Sequence, residues 1–304
     1  MPELAILYEH PLWFEPLFAA LDRAGVDYVK LPVGDHAFDP EGSPPPAKVI
    51  FNRVAMSSFL REPEHPLYYT MALLDHWRRQ GATVLNGPEV MAIDSNKARQ
   101  LSLLSGLGLA VPRTRVVHRA ADLVKVAAEI GYPLLVKANV GGSGAGIMRF
   151  DSEAEVAAVV GAGDAPSSVD RVLLVQEAVP ARGGVIWRLE TLDRRFLYAI
   201  AVDGAGQFDL CPADACDDDR GTPIAMRVFD PPAEIVAAVE RVAEAMDMDV
   251  GGVEVMVDDR DGTPKFYDIN ALSNFVAKPV EVLGWDPHDR LVTWLKDRIA
   301  GVRT

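Results

Sequence analysis

The chain has 304 residues, enough to bury a large core and to divide into two or three lobes. It carries 44 Asp and Glu against 30 Lys and Arg, a formal net charge of −14, which disfavours nucleic-acid and anionic-membrane partners. No run of about 18 apolar residues occurs, no basic region precedes the first apolar stretch, and Cys211 and Cys216 are the only cysteines, so a cytoplasmic protein without a disulfide framework is expected.

In chain order, strand-like and helix-like segments alternate, which predicts an α/β architecture. Strands are expected at 4–8, 28–33, 49–52 and 83–85, with helices over 15–24 and 70–80 that close on Gly25 and Gly81. The Asn86-Gly87-Pro88 triplet reads as a turn, so residues 1–90 form an N-terminal βαβ domain. In the next section, 91–180, Asp94 or Ser95 is expected to cap a helix running to about 104. Strands follow at 115–118, 133–138, 146–150 and 172–177, with helices over 121–130 and 153–160. The last section, 181–304, opens with strands at 185–191 and 196–202 and continues with an amphipathic helix over 231–245. A hairpin of 253–257 and 265–269 turns at Asp261-Gly262, and a helix over 288–299 ends the chain.

The stretch VKANVGGSGAGIMRF, 136–150, places Gly141, Gly142, Gly144 and Gly146 between two strands with only Ser143 and Ala145 among them. Such a loop leaves backbone N–H groups free to fold over phosphate oxygens, because no Cβ blocks close approach; a flexible surface hairpin is the plain alternative. A P-loop is excluded, since Ile147-Met148 stands where Lys-Ser/Thr is required. A dinucleotide fingerprint is excluded too, because the segment after the last glycine is extended rather than helical. Lys137 lies just before the loop, and Lys97 lies in the first turns of a helix. Near the C-terminus Glu254 sits on one strand, with Asp268 and Asn270 on the next. Side-chain alternation puts 268 and 270 on one face, with Glu254 across from them. Three hard oxygen donors so placed suit Mg²⁺, whereas no His or further Cys accompanies Cys211 and Cys216 at zinc-ligand spacing. Arg53 ends the third strand, where α/β proteins place ligand contacts; it is a candidate for a substrate carboxylate, or else a surface arginine.

Taken in order, NGPEVMAIDSNKARQLSLLSGLGLAVPRT, YPLLVKANVGGSGAGI, LLVQEAVP, GGVIWRLETLDRRFLYAI, GGVEVMV and FYDIN resemble the ATP-grasp superfamily over about residues 86–275. The likeness is greatest to carboxylate–amine ligases such as glutathione synthetase, D-alanine–D-alanine ligase and the ribosomal-protein glutamate ligases. It implies an ATP-grasp fold in which an N-terminal βαβ domain precedes two lobes that clamp ATP. In that family two lysines hold the nucleotide phosphates, and the matching positions are Lys97 and Lys137. The loop with Gly141, Gly142, Ser143, Gly144 and Gly146 would be the lid. Gln176, Glu177, Ala178 and Val179 would form the adenine hinge. Glu254, Asp268 and Asn270 match the ligands of Mg²⁺, one ion or two, with Mn²⁺ as an alternative. Arg188 falls on the arginine that contacts the transferred phosphoryl group, and with Lys137 it would be catalytic. Three departures stand out: Ile186 replaces a frequent aspartate, Asp-Ile-Asn is followed by Ala-Leu-Ser-Asn, and the first metal ligand is Glu254 rather than aspartate. The implied reaction joins a small carboxylate to an amine, an amino acid or peptide, through an acyl phosphate. A kinase acting on a hydroxyl and a non-catalytic nucleotide-binding protein are the alternatives. Whether the chain is a homo-oligomer stays open.

Overall fold

The computed structural model describes residues 2–10, 12–60, 66–142, 144, 146–203 and 225–301, and its strands fall into three sheets. The first is built from β1 (Leu4–Tyr8), α1 (Glu15–Arg23), β2 (Tyr28–Pro32), β3 (Val49–Arg53), α2 (Leu67–Arg79) and β4 (Thr83–Leu85). Its strands run parallel in the order β2-β1-β3-β4. Leu4 and Ile6 face α1 through Phe14, Leu17 and Leu21, while Ala5 and Leu7 face α2 through Leu73, Leu74 and Trp77. A parallel sheet covered on both faces needs such unbroken apolar strands. Its carboxyl ends lead to Trp13 after β1 and to a short 3-10 turn, Met56–Leu60, after β3.

The second sheet is antiparallel, in the order β5-β8-β6-β7. It is reached through α3 (Pro88–Asp94) and α4 (Lys97–Gly106), then β5 (Thr114–Val117), α5 (Leu123–Ile130), β6 (Leu134–Ala138), β7 (Ile147–Phe150), α6 (Glu153–Ala162) and β8 (Leu173–Glu177). α5 and α6 cover one face with Leu123, Ala127, Ile130 and Val156. Helix α3 replaces the expected turn: Pro88 sits in its first turn, where a missing N–H costs nothing. Asp94 ends α3 rather than capping the next helix. The cap of α4 is Asn96, whose side chain accepts from Arg99 N at 2.9 Å.

The third sheet comprises β9 (Ala181–Leu192), β10 (Arg195–Asp203), β11 (Ala225–Val228), β12 (Val250–Asp258) and β13 (Pro264–Asn270), antiparallel in the order β11-β10-β9-β12-β13. Helix α7 (Ala233–Ala245) lays Ile235, Val239 and Val242 against Leu189, Val253 and Val255 on one face. α8 (Pro279–Leu283) and α9 (Pro287–Ile299) close the described chain. Leu291 and Trp294 of α9 share a core with α1 and with Ile186, Tyr198 and Ile200 of the third sheet. Neither β11 nor α8 is among the expected elements. Cys211 and Cys216 lie outside the described residues.

The first and third sheets are stitched by Asn86, 2 % exposed and held at φ +49° just after β4. Its side chain donates to the carbonyls of Val250 (2.7 Å) and Ala271 and accepts from the N–H groups of Asp249 (2.9 Å) and Val250 (3.2 Å). Its own N–H donates to the Asp249 carboxylate at 2.8 Å. Removing the side chain leaves several buried backbone groups unpaired, and each costs about 1–3 kcal/mol. Asn86→Ala is therefore expected to lower the unfolding free energy by roughly 2–4 kcal/mol in a denaturant titration.

Candidate active site

A cavity of about 470 Å³ lies where the three sheets meet. It is lined by Lys97, Lys137, Gly141, Gly142, Gly144, Gln176, Glu177, Ala178, Val179, Arg188, Glu254, Asp268 and Asn270, so residues far apart in sequence converge on one space. Two of the expected residues stand apart. Ser143 lies outside the described residues. Gly146 does not line the cavity; at φ +72° its carbonyl accepts from Ala138 N at 3.0 Å, which closes the β6–β7 hairpin.

The two lysines are delivered by a set of amide contacts. Asn139, which follows β6, accepts from the first N–H groups of α4: Lys97 N reaches its carbonyl (3.2 Å) and Ala98 N its side chain (2.9 Å). One turn along α4, Gln100 pairs with both backbone groups of Ile269, each at 3.0 Å, as an extra strand would. Lys97 is thereby set beside Asp268, and its ammonium donates to that carboxylate. Burial is the largest influence and opposes its charge, but Asp268, joined by Glu254 and Asp94, outweighs it and the Lys97 pKa rises. Lys137 is different. It is 8 % exposed and its ammonium makes no hydrogen bond or ion pair among the described residues, sitting 5.7 Å from the Tyr267 ring. Burial, with Lys97 repelling it, lowers its pKa to about 8 despite Asp268 and Glu254.

The carboxylates meet by strand register. Glu254 of β12 lies between Arg188 of β9 and Asp268 of β13. Asn270 donates from Nδ2 to Glu254 at 3.4 Å and to Asp268 at 3.5 Å. Burial and repulsion from Asp268 raise the Glu254 pKa against the pull of Arg188. A divalent cation between two such carboxylates removes the repulsion, and a half-turn of the Asn270 amide presents its oxygen. The donor set therefore fits a hard cation such as Mg²⁺.

Sequence alternation missed Tyr267. A β-bulge shifts the register after Glu254, so Val255 opposes Phe266 and Tyr267 is the extra residue. Tyr267 and Asp268 then both line the cavity, and the phenol donates to Glu254 at 2.7 Å. Asp94 was also missed as a site residue. It lines the cavity, accepts from Ala271 N at 3.1 Å, and burial raises its pKa to about 7.

Arg188 bonds Glu190 at 2.7 Å, Glu254 at 3.4 Å and the Ser273 hydroxyl at 3.3 Å. Gly252 permits this approach, since a Cβ there would lie 2.9 Å from the Glu190 carboxylate. Arg53 corrects the expectation attached to it: it is neither a surface arginine nor a cavity-lining group. It is 2 % exposed, stacks over Phe51, and donates to the Ser273 carbonyl and to Asn274 Oδ1 (3.3 Å). Both guanidinium groups thus hold Ser273, one by its backbone and one by its hydroxyl.

In the segment expected as the hinge, the Glu177 side chain is engaged by Arg113 N (2.9 Å), Arg260 (3.0 Å) and Lys265 (3.3 Å). The N–H groups of Glu177 and Ala178 are bonded to Arg113 and Pro133, whereas that of Val179 has no partner among the described residues. One backbone donor is left for a ligand edge.

Residues 96–179 match the family model described as "Carbamoyl-phosphate synthase L chain, ATP binding domain". A probable alpha-L-glutamate ligase of Stutzerimonas stutzeri is 26 % identical over 190 residues, 62 % of this chain and 60 % of the relative; a homologue from Azotobacter vinelandii is 25 % identical over 193 residues. The chain thus spans about three fifths of the curated relatives it matches. Among solved structures, a RimK domain ATP-grasp protein from Sphaerobacter thermophilus superposes with a TM-score of 0.69 at 18 % identity, covering 96 % of this chain and 99 % of that one. The ATP-grasp ligase PsnB with its minimal precursor also scores 0.69 at 16 % identity, covering 98 % and 100 %. D-alanine–D-alanine ligase from Bacillus anthracis with ATP scores 0.69 at 13 % identity, covering 99 % and 98 %. These likenesses show an ATP-grasp fold along nearly the whole chain.

An unpaired buried ammonium destabilises the folded chain. With a folded pKa of about 8 against an ordinary value of 10.5, the penalty on Lys137 is full below pH 8 and vanishes as pH passes 10.5. Lys137→Met is expected to raise the unfolding free energy by about 1–3 kcal/mol at pH 7, and the gain should shrink as pH rises toward 10.

Proposed function

We propose that this chain, an ATP-grasp protein by fold, is an ATP- and Mg²⁺-dependent ligase that activates a carboxylate as an acyl phosphate and joins it to an amine. The observation that carries this reading is Lys137: a buried ammonium without an ion pair among the described residues, in the cavity that also holds two facing carboxylates. Lys137 binds the nucleotide phosphates, Lys97 does so from the start of α4, and the loop with Gly141, Gly142, Ser143 and Gly144 covers them. The hinge 176–179 receives the adenine, with the Val179 N–H as donor. Glu254, Asp268 and Asn270 hold Mg²⁺, one ion or two, or Mn²⁺ in its place. Bound there, the metal neutralises charge on the transferred phosphoryl group.

The chain's own residues supply the rest. The first step brings a carboxylate oxygen to the γ-phosphorus, so two anions must meet. Arg188 faces that point, and its guanidinium stabilises charge that grows as the bond to ADP breaks. The glycine loop excludes water, which otherwise hydrolyses the acyl phosphate. An amine then attacks the acyl carbon and phosphate leaves. The relatives named probable alpha-L-glutamate ligase support the C–N ligase class. In this reading residues 1–90 form the N-terminal domain, 91–180 the lobe with the lid, and 181–304 the lobe with the metal site.

Release of free phosphate together with ADP, across a panel of carboxylates and amines, tests the reading; a kinase leaves the phosphate on its product. Asp268→Asn is expected to lower ADP formation by about 10²–10³, while circular dichroism stays as in the parent. Turnover within twofold of the parent would remove the metal assignment. The pH dependence has a defined sign. The Lys137 pKa of about 8 lies above that of Asp94, about 7, so between pH 8 and 9.5 Lys137, which faces Lys97, Asp268 and Glu254, loses its proton after most of the Asp94 titration is over. ADP affinity measured by calorimetry should fall across that window, and Lys137→Arg should flatten the fall, since a guanidinium stays charged.

A further inference from the structure

Strand register gives the cavity a direction. From the hinge, Ala181 pairs with Asp258, then Ile186 with Met256, then Arg188 with Glu254, and β13 ends at Asn270. Past that point the walls come from the loop after β13 and from the carboxyl end of the first sheet: Trp13, Ala55, Met56, Leu272, Asn274 and Phe275. This end is mostly apolar. Its uncharged polar groups are Ser57 and Asn274, and the Asn274 oxygen already accepts from Arg53. Among the described residues one cation faces it, Arg188, which is shared with Glu190 and Glu254. Arg53 lies behind Ser273 and does not reach the cavity. Three other titratable groups stand nearby: Asp94, which lines the cavity and bears negative charge or none, His10, stacked on Trp13 at 4.2 Å, and His288, edge-on to Phe275 and bonded to Asp286 at 2.7 Å; neither histidine lines the cavity.

Resting on the ligase reading, we infer that this end takes the body of the carboxylate substrate, and that the substrate is a monocarboxylic acid with an apolar side chain. One carboxylate can lie at Arg188, beside the metal donors. A second, as in glutamate, must be stripped of water against Trp13, Met56 and Phe275, where no cation among the described residues lines the cavity to receive it, whereas an aliphatic or aromatic body gains by leaving water there. The pocket therefore differs from the one implied by the name of the glutamate ligase relatives, whose likeness covers 62 % of this chain.

Hydroxylamine tests this without knowledge of the natural amine. Its nitrogen attacks the acyl carbon of the acyl phosphate and expels phosphate, so acid, ATP and hydroxylamine yield hydroxamate, ADP and phosphate. With the full chain and Mg²⁺, leucine and phenylalanine are expected to give kcat/KM at least about tenfold above glutamate and aspartate. Met56→Lys, which adds a cation to the apolar wall, should narrow that ratio by raising glutamate relative to leucine. Equal or better turnover of glutamate or aspartate overturns the inference and leaves the ligase reading standing. If neither acid class gives hydroxamate while ADP binds in calorimetry, the inference is likewise overturned. If ADP does not bind, the ligase reading itself fails and takes the inference with it.

Discussion

Two carboxylates held side by side on adjacent strands repel each other, and the architecture around Glu254 and Asp268 answers that repulsion. Lys97 reaches Asp268 from α4, Arg188 reaches Glu254 from β9, and the Tyr267 phenol completes the Glu254 contacts. Burial makes each of these groups costly alone and strongly coupled together, because the field between charges grows as water is excluded. Lys137 is the member left over. Its lowered pKa expresses the same constraint from the cationic side: burial, with repulsion from Lys97, outweighs the attraction of Asp268 and Glu254.

Holding these groups at bonding distance requires the sheets to be fixed relative to one another, and amide side chains do much of that. Asn139 and Gln100 lock α4 to the second sheet and to the edge of the third. Asn86 locks the end of β4 to the start of β12 and the end of β13. Arg53 ties the end of β3 to the loop carrying Ser273, which in turn bonds Arg188. Neutral amides suit such joints, since each offers donor and acceptor at once and can be buried without a counter-charge. The guanidinium of Arg53 is the exception, and stacking on Phe51 compensates part of its desolvation.

Close backbone approach is the second requirement. A Cβ on Gly142 would come within 2.9 Å of Ser57, so the glycine-rich loop touches the 3-10 turn after β3. The loop that lines the lysine end of the cavity is therefore also packed on the wall of its apolar end. The two halves meet where Gly142 lies against Ser57.

Much of this protein is determined by local chemistry that the sequence displays. Apolar residues at 4–8 and 49–51 read as strands of a covered sheet, and the four glycines within 141–146 leave little side chain to block a loop. The spacing of Asp268 and Asn270 places them on one face because side chains alternate. Other features depend on partners distant in the chain. Helix α3 hides behind a turn-like triplet because Pro88 is as well suited to a first helical turn as to a bend. Tyr267 joins the site through a bulge that breaks alternation, and Arg53 is turned from a ligand candidate into a brace by Ser273, 220 residues away. Pair energies of this kind are set by burial and distance, which exist only after folding. Tertiary structure alone decided which charges face each other and which one is left unpaired.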